Sequence, residues 1–268
     1  MNLSHLEGSW AIVTGASAGI GQEFARQLAQ RKINVVLVAR RGDLLESLAD
    51  ELKRASGVDA LPIELDLAQA HAARSLHAAV TGRGIAPRLL VNNAGVGRWG
   101  RFEDTDADTY ARILALNTSC VAELCRVFLP DLAQRPPSAI INVSSPAALQ
   151  PVPFMAVYAA SKAFVHSLSL ALHEEWRERG VYVQTLIPGP TATEFDTLAG
   201  AYSSQLGSDR CHPAHVVRKA LAGFANEQPM VAAASGIYVQ KVFAAVAPVR
   251  FVIRKVGRMF QPPDSGRS

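Results

Sequence analysis

At 268 residues, 49% hydrophobic and 19% charged, the chain has the length and balance of one large α/β domain. Its net charge of +4 is unevenly placed: six basic side chains and one acidic one follow Gly236, so that tail carries +5 and the rest −1. The body therefore has no field suited to nucleic acid, and three scattered cysteines, Cys120, Cys125 and Cys211, are too few for a disulfide framework or a metal site. Residues 1–8 show neither a basic n-region nor an apolar h-region, so no signal peptide is expected, and no apolar run reaches the roughly 18 residues of a membrane span. A reducing cytoplasm is the expected location, with the cysteines acting as small buried apolar residues.

Residues 10–13 form a short apolar run. Residues 14–21 then read Thr-Gly-Ala-Ser-Ala-Gly-Ile-Gly, ahead of a helical pattern with Ile20, Phe24 and Leu28 on one face. This is strand, glycine-rich turn, helix. Gly15 permits the tight turn, while Gly19 and Gly21 let the backbone approach a pyrophosphate and the helix pack on the strand. The free N–H groups and dipole at the helix start suit a diphosphate. A second apolar strand over 33–39, continuous as in a buried parallel sheet, ends at Arg40 and Arg41. Basic residues at that place suit a ribose 2′-phosphate, and Ser17 adds a hydroxyl. The predicted cofactor is NADP(H).

Leu44, Leu45, Leu48 and Leu52 mark the next helix, and a third strand over 60–65 closes at Asp66 and Leu67. Asp66 stands where it can meet an adenine edge or cap a helix predicted over 68–81, roles that can coexist. The fourth strand, 89–91, leads into Asn92, Asn93, Ala94 and Gly95, at the ligand edge of an open parallel sheet. A long helical pattern over 105–133 carries Asn117 within an apolar stripe of Ile113, Leu116 and Val121. A buried Asn needs partners, a local cap or kink being the alternative. A fifth strand over 139–143 ends in Ser144 and Ser145. Tyr158 and Lys162 follow, opening a helix that runs to 179. Four residues apart on a helix, a phenol and an ammonium share a face. A phenol titrates near ~10, and a cation beside it favours the phenolate, which makes a tuned acid/base for an alcohol or carbonyl. The sixth strand, 181–187, ends in Pro188, Gly189, Thr191 and Thr193. The regular alternation predicts a single doubly wound parallel sheet of Rossmann type with helices on both faces.

With the glycine turn, Asp66, residues 92–95, Asn117, Ser145, Tyr158, Lys162 and the Pro-Gly-x-Thr-x-Thr stretch all in order, the chain resembles the short-chain dehydrogenase/reductase family from residue 9 to about 195. The resemblance implies that Tyr158 exchanges a proton with the substrate oxygen. Lys162 would lower the Tyr158 pKa and bind the nicotinamide ribose. Ser145 would hydrogen-bond the carbonyl, with Ser144 its neighbour, and Asn117 would hold the water of a proton relay. Thr193, with the backbone of Ile187 and Thr191, would orient the carboxamide. Two donors aimed at the oxygen on which charge grows form the preorganised arrangement that lowers such barriers.

After a possible seventh strand over 230–234, the Asp-Gly-Gly turn of 3-oxoacyl carrier-protein reductases is missing. That counts against the fatty-acid-synthesis reading and against the tetramer packing that uses this end. Residues 1–234 are read as the catalytic domain and 235–268 as a basic amphipathic extension, an ending that resembles bacterial reductases of the family. Val249, Val252, Ile253, Val256 and Phe260 fall on one helical face and Arg250, Arg254 and Arg258 on the other, after Pro248. This helix would dock on its own domain or a second subunit, or anchor peripherally on anionic lipid at the inner membrane face. Residues 195–212 form a possible lid. With Val96, Trp99, Gln150, Phe154 and Phe195 they would enclose a mostly apolar pocket for a ketone, an aldehyde or the matching alcohol. The expected protein is an NADPH-dependent carbonyl reductase, a homodimer or homotetramer. A 3-oxoacyl or hydroxysteroid reductase is the alternative within the family, and a non-catalytic NADP(H) sensor or a lipid-surface scaffold outside it.

Overall fold

A computed structural model describes residues 3–200 and 210–262. Seven parallel strands lie in the order β3-β2-β1-β4-β5-β6-β7. They are β1 (Trp10–Thr14), β2 (Asn34–Ala39), β3 (Ala60–Glu64), β4 (Pro87–Asn92), β5 (Ser138–Val143), β6 (Val181–Ile187) and β7 (Met230–Ala232). The strands are short and rich in Val, Ile and Leu because both faces are covered, and successive residues feed opposite layers. Ala11 and Val13 of β1 pack with Val35 and Leu37 of β2 on one side. Ile12, Val36 and Val38 pack on the other.

The first layer is covered by α1 (Gly19–Gln30), α2 (Gly42–Ser56) and α8 (Pro213–Ala222). Phe24, Leu28, Leu45, Leu48, Val217 and Leu221 supply their apolar faces. The second layer is covered by α3 (Ala72–Thr81), α5 (Cys120–Ala133) and α6 (Ala156–Glu175), with Leu76, Leu124, Phe128 and Val165 facing the sheet. Each fully buried side chain of this size contributes roughly 1.5–3 kcal/mol through burial, enough that the two layers dictate the architecture.

The helix expected over 68–81 begins four residues later, at Ala72, because Asp66 caps a turn ahead of it by accepting the Ala68 N–H at 3.1 Å. The pattern expected as one helix over 105–133 is broken. It starts at α4 (Ala107–Leu114), where Asp106 accepts the Thr109 N–H at 2.7 Å, passes through a wider π turn at Ala115–Ser119, and resumes as α5. Together these residues are long and apolar enough to cross a membrane. Their apolar side chains Val121, Leu124, Phe128 and Leu132 are instead buried against the sheet. Cys120 and Cys125 are buried there too, and burial pushes both thiols up to about 12, so they behave as small apolar groups.

Beyond β7 the chain forms two helices, α9 (Ile237–Val246) and α10 (Val249–Phe260). The inner face of α10 is docked: Val252 and Val256 are buried against Val152 and Ala159, with Met155, Phe243 and Phe260 packed around them. Of the proposed lid, only α7 (Phe195–Ala199), Gly200 and residues 210–212 are described; the expectation otherwise falls on 201–209, outside the described residues. An Arg210–Asp196 ion pair links the two described sides.

Candidate active site

The sheet order reverses between β1 and β4, and both strands end in the same small space. Thr14 closes β1. Its hydroxyl donates to the Val91 carbonyl at 3.1 Å and accepts the N–H groups of Asn93 and Ala94 at 2.9 and 3.0 Å. The Asn93 amide returns the link by donating to the Thr14 carbonyl at 2.9 Å. Asn93 therefore holds the glycine turn in place rather than facing outward. Asn92 has left the ligand edge altogether: it is 3% exposed and donates to Asn142 Oδ1 at 2.8 Å.

The glycine turn has the shape a diphosphate needs. Gly15 and Gly19 have φ of 66° and 57°, a region that side chains resist. A Cβ on Gly21 would lie 2.2 Å from the Gly15 carbonyl oxygen, so no other residue fits there. The N-cap of α1 is Ala18, extended at φ −160° and without a side-chain cap. The first N–H groups of the helix thus receive no side-chain cap from the described residues and suit an anion. Ile20 follows in the first turn of α1, half-buried against the first layer. Thr193 lies over this turn, its Cγ2 standing 2.9 Å from where a Gly19 Cβ would be.

At the end of β2 the Arg41 guanidinium reaches Ser17 Oγ at 3.1 Å and Glu194 at 3.1 Å, while Arg40 is exposed beside it. Two guanidinium groups and a hydroxyl there fit a 2′-phosphate. Glu194, which the sequence reading passed over, orients Arg41 from across the cleft. Asp66 pairs with Arg112 at 2.7 Å besides capping its turn, and both contacts hold its carboxyl below the ordinary range against the opposing effect of burial. Arg112 lies 46 residues away with no local signal. Leu67 is buried in the second layer.

The reacting groups stand at the end of β5. Ser144 and Ser145 part company here. The Ser144 hydroxyl is buried and donates to the Lys162 carbonyl at 2.9 Å, a structural bond. Ser145 instead stands near enough to the Tyr158 phenol to pull its pKa down, while its Oγ accepts the Ala147 N–H at 3.2 Å. Burial is the larger effect, and pushes the phenol up to about 12. Lys162 Nζ donates to the Val143 carbonyl at 2.9 Å and lies 5.9 Å from the Tyr158 ring centre; burial brings its own pKa down to about 8. The effect that lowers the phenol here comes from Ser145, and burial outweighs it.

Asn117 sits fully buried in the π turn. Its Oδ1 accepts the Val96 N–H at 3.0 Å, and its Nδ2 donates to the Val96 carbonyl at 2.8 Å and to Ser161 Oγ at 3.0 Å. The side chain pins the segment after β4 as a clamp. A Cβ on Gly95 would lie 3.2 Å from Lys162 Nζ and 3.3 Å from Asn117 Oδ1, which brings these three residues together. Gly97, missed in the sequence reading, does the same on the substrate side: a Cβ there would meet the Phe195 ring at 2.8 Å and the Tyr158 ring at 3.2 Å. The Phe195 and Tyr158 ring centres are 5.2 Å apart.

Beyond β6, Gly189 has φ 78° and its carbonyl accepts the Thr191 hydroxyl at 3.0 Å, with Pro188 buried before it. Phe154, a non-glycine residue at φ 66°, accepts the Gly100 N–H at 2.9 Å. Gln150 lines an apolar groove with Ala156, Ala160 and Ala163, on the side of α6 turned away from Tyr158 by helical spacing. Trp99 is held at its N–H by Ala199 and at Nε1 by the Phe260 carbonyl, 2.8 Å away at the end of α10.

Residues 9–201 match the family model described as short chain dehydrogenase. The bovine (Bos taurus) very-long-chain 3-oxoacyl-CoA reductase is 34% identical over 191 residues, which are 70% of this chain. The chain spans 61% of that relative's length. A short-chain dehydrogenase from Sphingobium yanoikuyae, solved in complex with NADPH, superposes with a TM-score of 0.81 at 29% identity, covering 97% of this chain and 98% of that one. The bulky-bulky ketone specific alcohol dehydrogenase from Comamonas testosteroni superposes with a TM-score of 0.74 at 26% identity, covering 97% of each. With the match covering residues 9–201 and the glycine turn, Ser145, Tyr158 and Lys162 converging at one sheet edge, the chain belongs to the short chain dehydrogenase family.

Proposed function

We propose that this chain is an NADPH-dependent oxidoreductase acting on a carbonyl or the corresponding secondary alcohol. The observation that carries the reading is the convergence of Ser145 and the buried Tyr158 phenol at the end of β5, with Lys162 Nζ 5.9 Å from the phenol ring. The uncapped start of α1 takes the diphosphate, and Arg40, Arg41 and Ser17 take the 2′-phosphate. When bound, the nicotinamide supplies or accepts the hydride. Ser145 and Tyr158 present hydroxyls toward the carbonyl oxygen and stabilise the charge that grows there. Tyr158 Oη gives up its proton to that oxygen, and a phenol held protonated by burial is a ready donor in the reducing direction. Lys162 stabilises the phenolate left behind. Phe195 and Gly97 give the space beside Tyr158 an apolar wall, which favours an apolar ketone. The 3-oxoacyl and bulky-ketone specificities named for the two relatives mark the substrate classes to try first.

Self-association is part of the same reading, with Leu114 of α4 and Phe164 of α6 exposed on neighbouring helices. The test of the chemistry is Tyr158→Phe. It is expected to bind NADPH with unchanged affinity by fluorescence titration and to lose roughly 100- to 10,000-fold in turnover. Parent-like turnover in that variant would sink the mechanism. Tight NADPH binding by the parent with no turnover on any ketone, aldehyde or 3-oxoacyl ester would favour the non-catalytic sensor.

A further inference from the structure

We infer that the outer face of the α9–α10 hairpin is a docking surface for an anionic lipid bilayer. Helix α9 buries only Ile237. Tyr238, Val239, Val242 and Val246 form one stripe by helical spacing, at 55, 72, 62 and 76% exposure, and Val249 continues it at 60%. Apolar side chains grouped this way on a surface mark a contact with something else. Beside them, α10 turns Arg250, Arg254, Lys255 and Arg258 outward, with Phe251 and Met259 also more than half exposed. Residues 228–263 contain no Asp or Glu. An apolar stripe flanked by unopposed cations suits the boundary between acyl chains and acidic headgroups. A second copy of the chain would set like charge against like on the same patch, which is why the bilayer is the occupant.

The inner face of the hairpin is fixed to the site. Gln240 Nε2 donates to the Pro146 carbonyl at 3.1 Å, one residue after Ser145, and Trp99 Nε1 donates to the Phe260 carbonyl. A bilayer on the outer face therefore lies beside the walls of the substrate space, where an apolar carbonyl compound dissolved in lipid would arrive. The inference concerns binding and does not depend on the reaction proposed above.

The full chain is to be sedimented with phosphatidylcholine vesicles and with vesicles containing roughly one-quarter phosphatidylglycerol. It should pellet with the anionic vesicles only, and release as salt approaches about 1 M, where the screening length is near 3 Å. Val242→Asp/Val246→Asp should stay in the supernatant while keeping the parent's NADPH binding. Arg250→Gln/Arg254→Gln/Arg258→Gln should bind about a hundredfold more weakly, at about a factor of five for each cation lost. A parent that remains in the supernatant, or binds both vesicle types equally, overturns the inference. So does a parent dimer in gel filtration that becomes a monomer in Val242→Asp/Val246→Asp, because the face would then join two copies of the chain.

Discussion

A lysine buried to 5% exposure carries a cost that can be read out. Lys162 titrates at about 8 in the folded chain against an ordinary 10.5, because burial penalises the ammonium. The unfolded chain keeps that proton up to 10.5 while the folded chain gives it up near 8. The unfolded state therefore binds more protons in that window, and folding stability rises as pH climbs through it. Below about pH 8 the full penalty applies, about 3 kcal/mol. Lys162→Met removes the penalty but leaves the Val143 carbonyl without its donor, a loss that does not depend on pH. The parent should thus gain on the variant in melting temperature between pH 7 and about pH 10, measured without added cofactor. A gap that stays constant across that range would mean that the ammonium is not penalised by burial. The residue scale is also where a sequence is most deceptive. Ser144 and Ser145 are the same residue type side by side, and only strand alternation sends one hydroxyl into the protein and the other toward Tyr158. Asn92 and Asn93 divide in the same manner.

Among the elements, the start of α1 shows how a missing interaction becomes a site. A capping oxygen at the N-cap, as Asp106 gives α4, satisfies a first-turn N–H, but Ala18 offers none. Its extended backbone is already that of a capping residue, so Ala18→Asp should fit. The carboxylate would satisfy an N–H of the first turn and face the positive end of the dipole, adding about 1 kcal/mol of stability, or roughly 2–4 °C in melting temperature. The same carboxylate would occupy the diphosphate position and repel it, weakening NADPH by at least about tenfold. Thermal unfolding without cofactor and NADPH titration should thus move in opposite directions. Unchanged NADPH affinity would show that the diphosphate does not bind at this helix start. The turn was legible because glycine has few substitutes where φ is positive. The π turn around Asn117 was not, because Ile113, Leu116 and Val121 keep a helical period straight through it. Within the widened turn the Asn117 side chain is held by Val96 and Ser161, contacts that span 21 and 44 residues.

At the scale of the whole molecule, the parallel order of the seven strands follows from apolar runs alternating with amphipathic helices, all visible in the chain. What surrounds the site's mouth does not follow, because it is made by long-range contacts such as Trp99 to Phe260. The docked face of α10 rests on Val252 and Val256, and they cover Val152, in the stretch between Ser145 and α6, and Ala159, in the first turn of α6. Helix α10 is thus a strap over the stretch before α6 and the first turn of α6, while Lys162 Nζ is anchored on the Val143 carbonyl of β5 and the rest of α6 packs against the sheet. Val256→Asp would place an unpaired carboxylate against Val152 and Ala159, which the local structure avoids by releasing the strap. Trypsin should then cut rapidly at Arg250, Arg254 and Lys255 in the variant and slowly in the parent. The KM for a bulky apolar ketone should rise severalfold while kcat stays near the parent value, because the proton donor has not moved. A cooperative loss of the whole fold, with NADPH binding gone at the same temperature as the protection of α10, would instead make the helix part of the central core, and a strap acting only on the substrate space would be the wrong description.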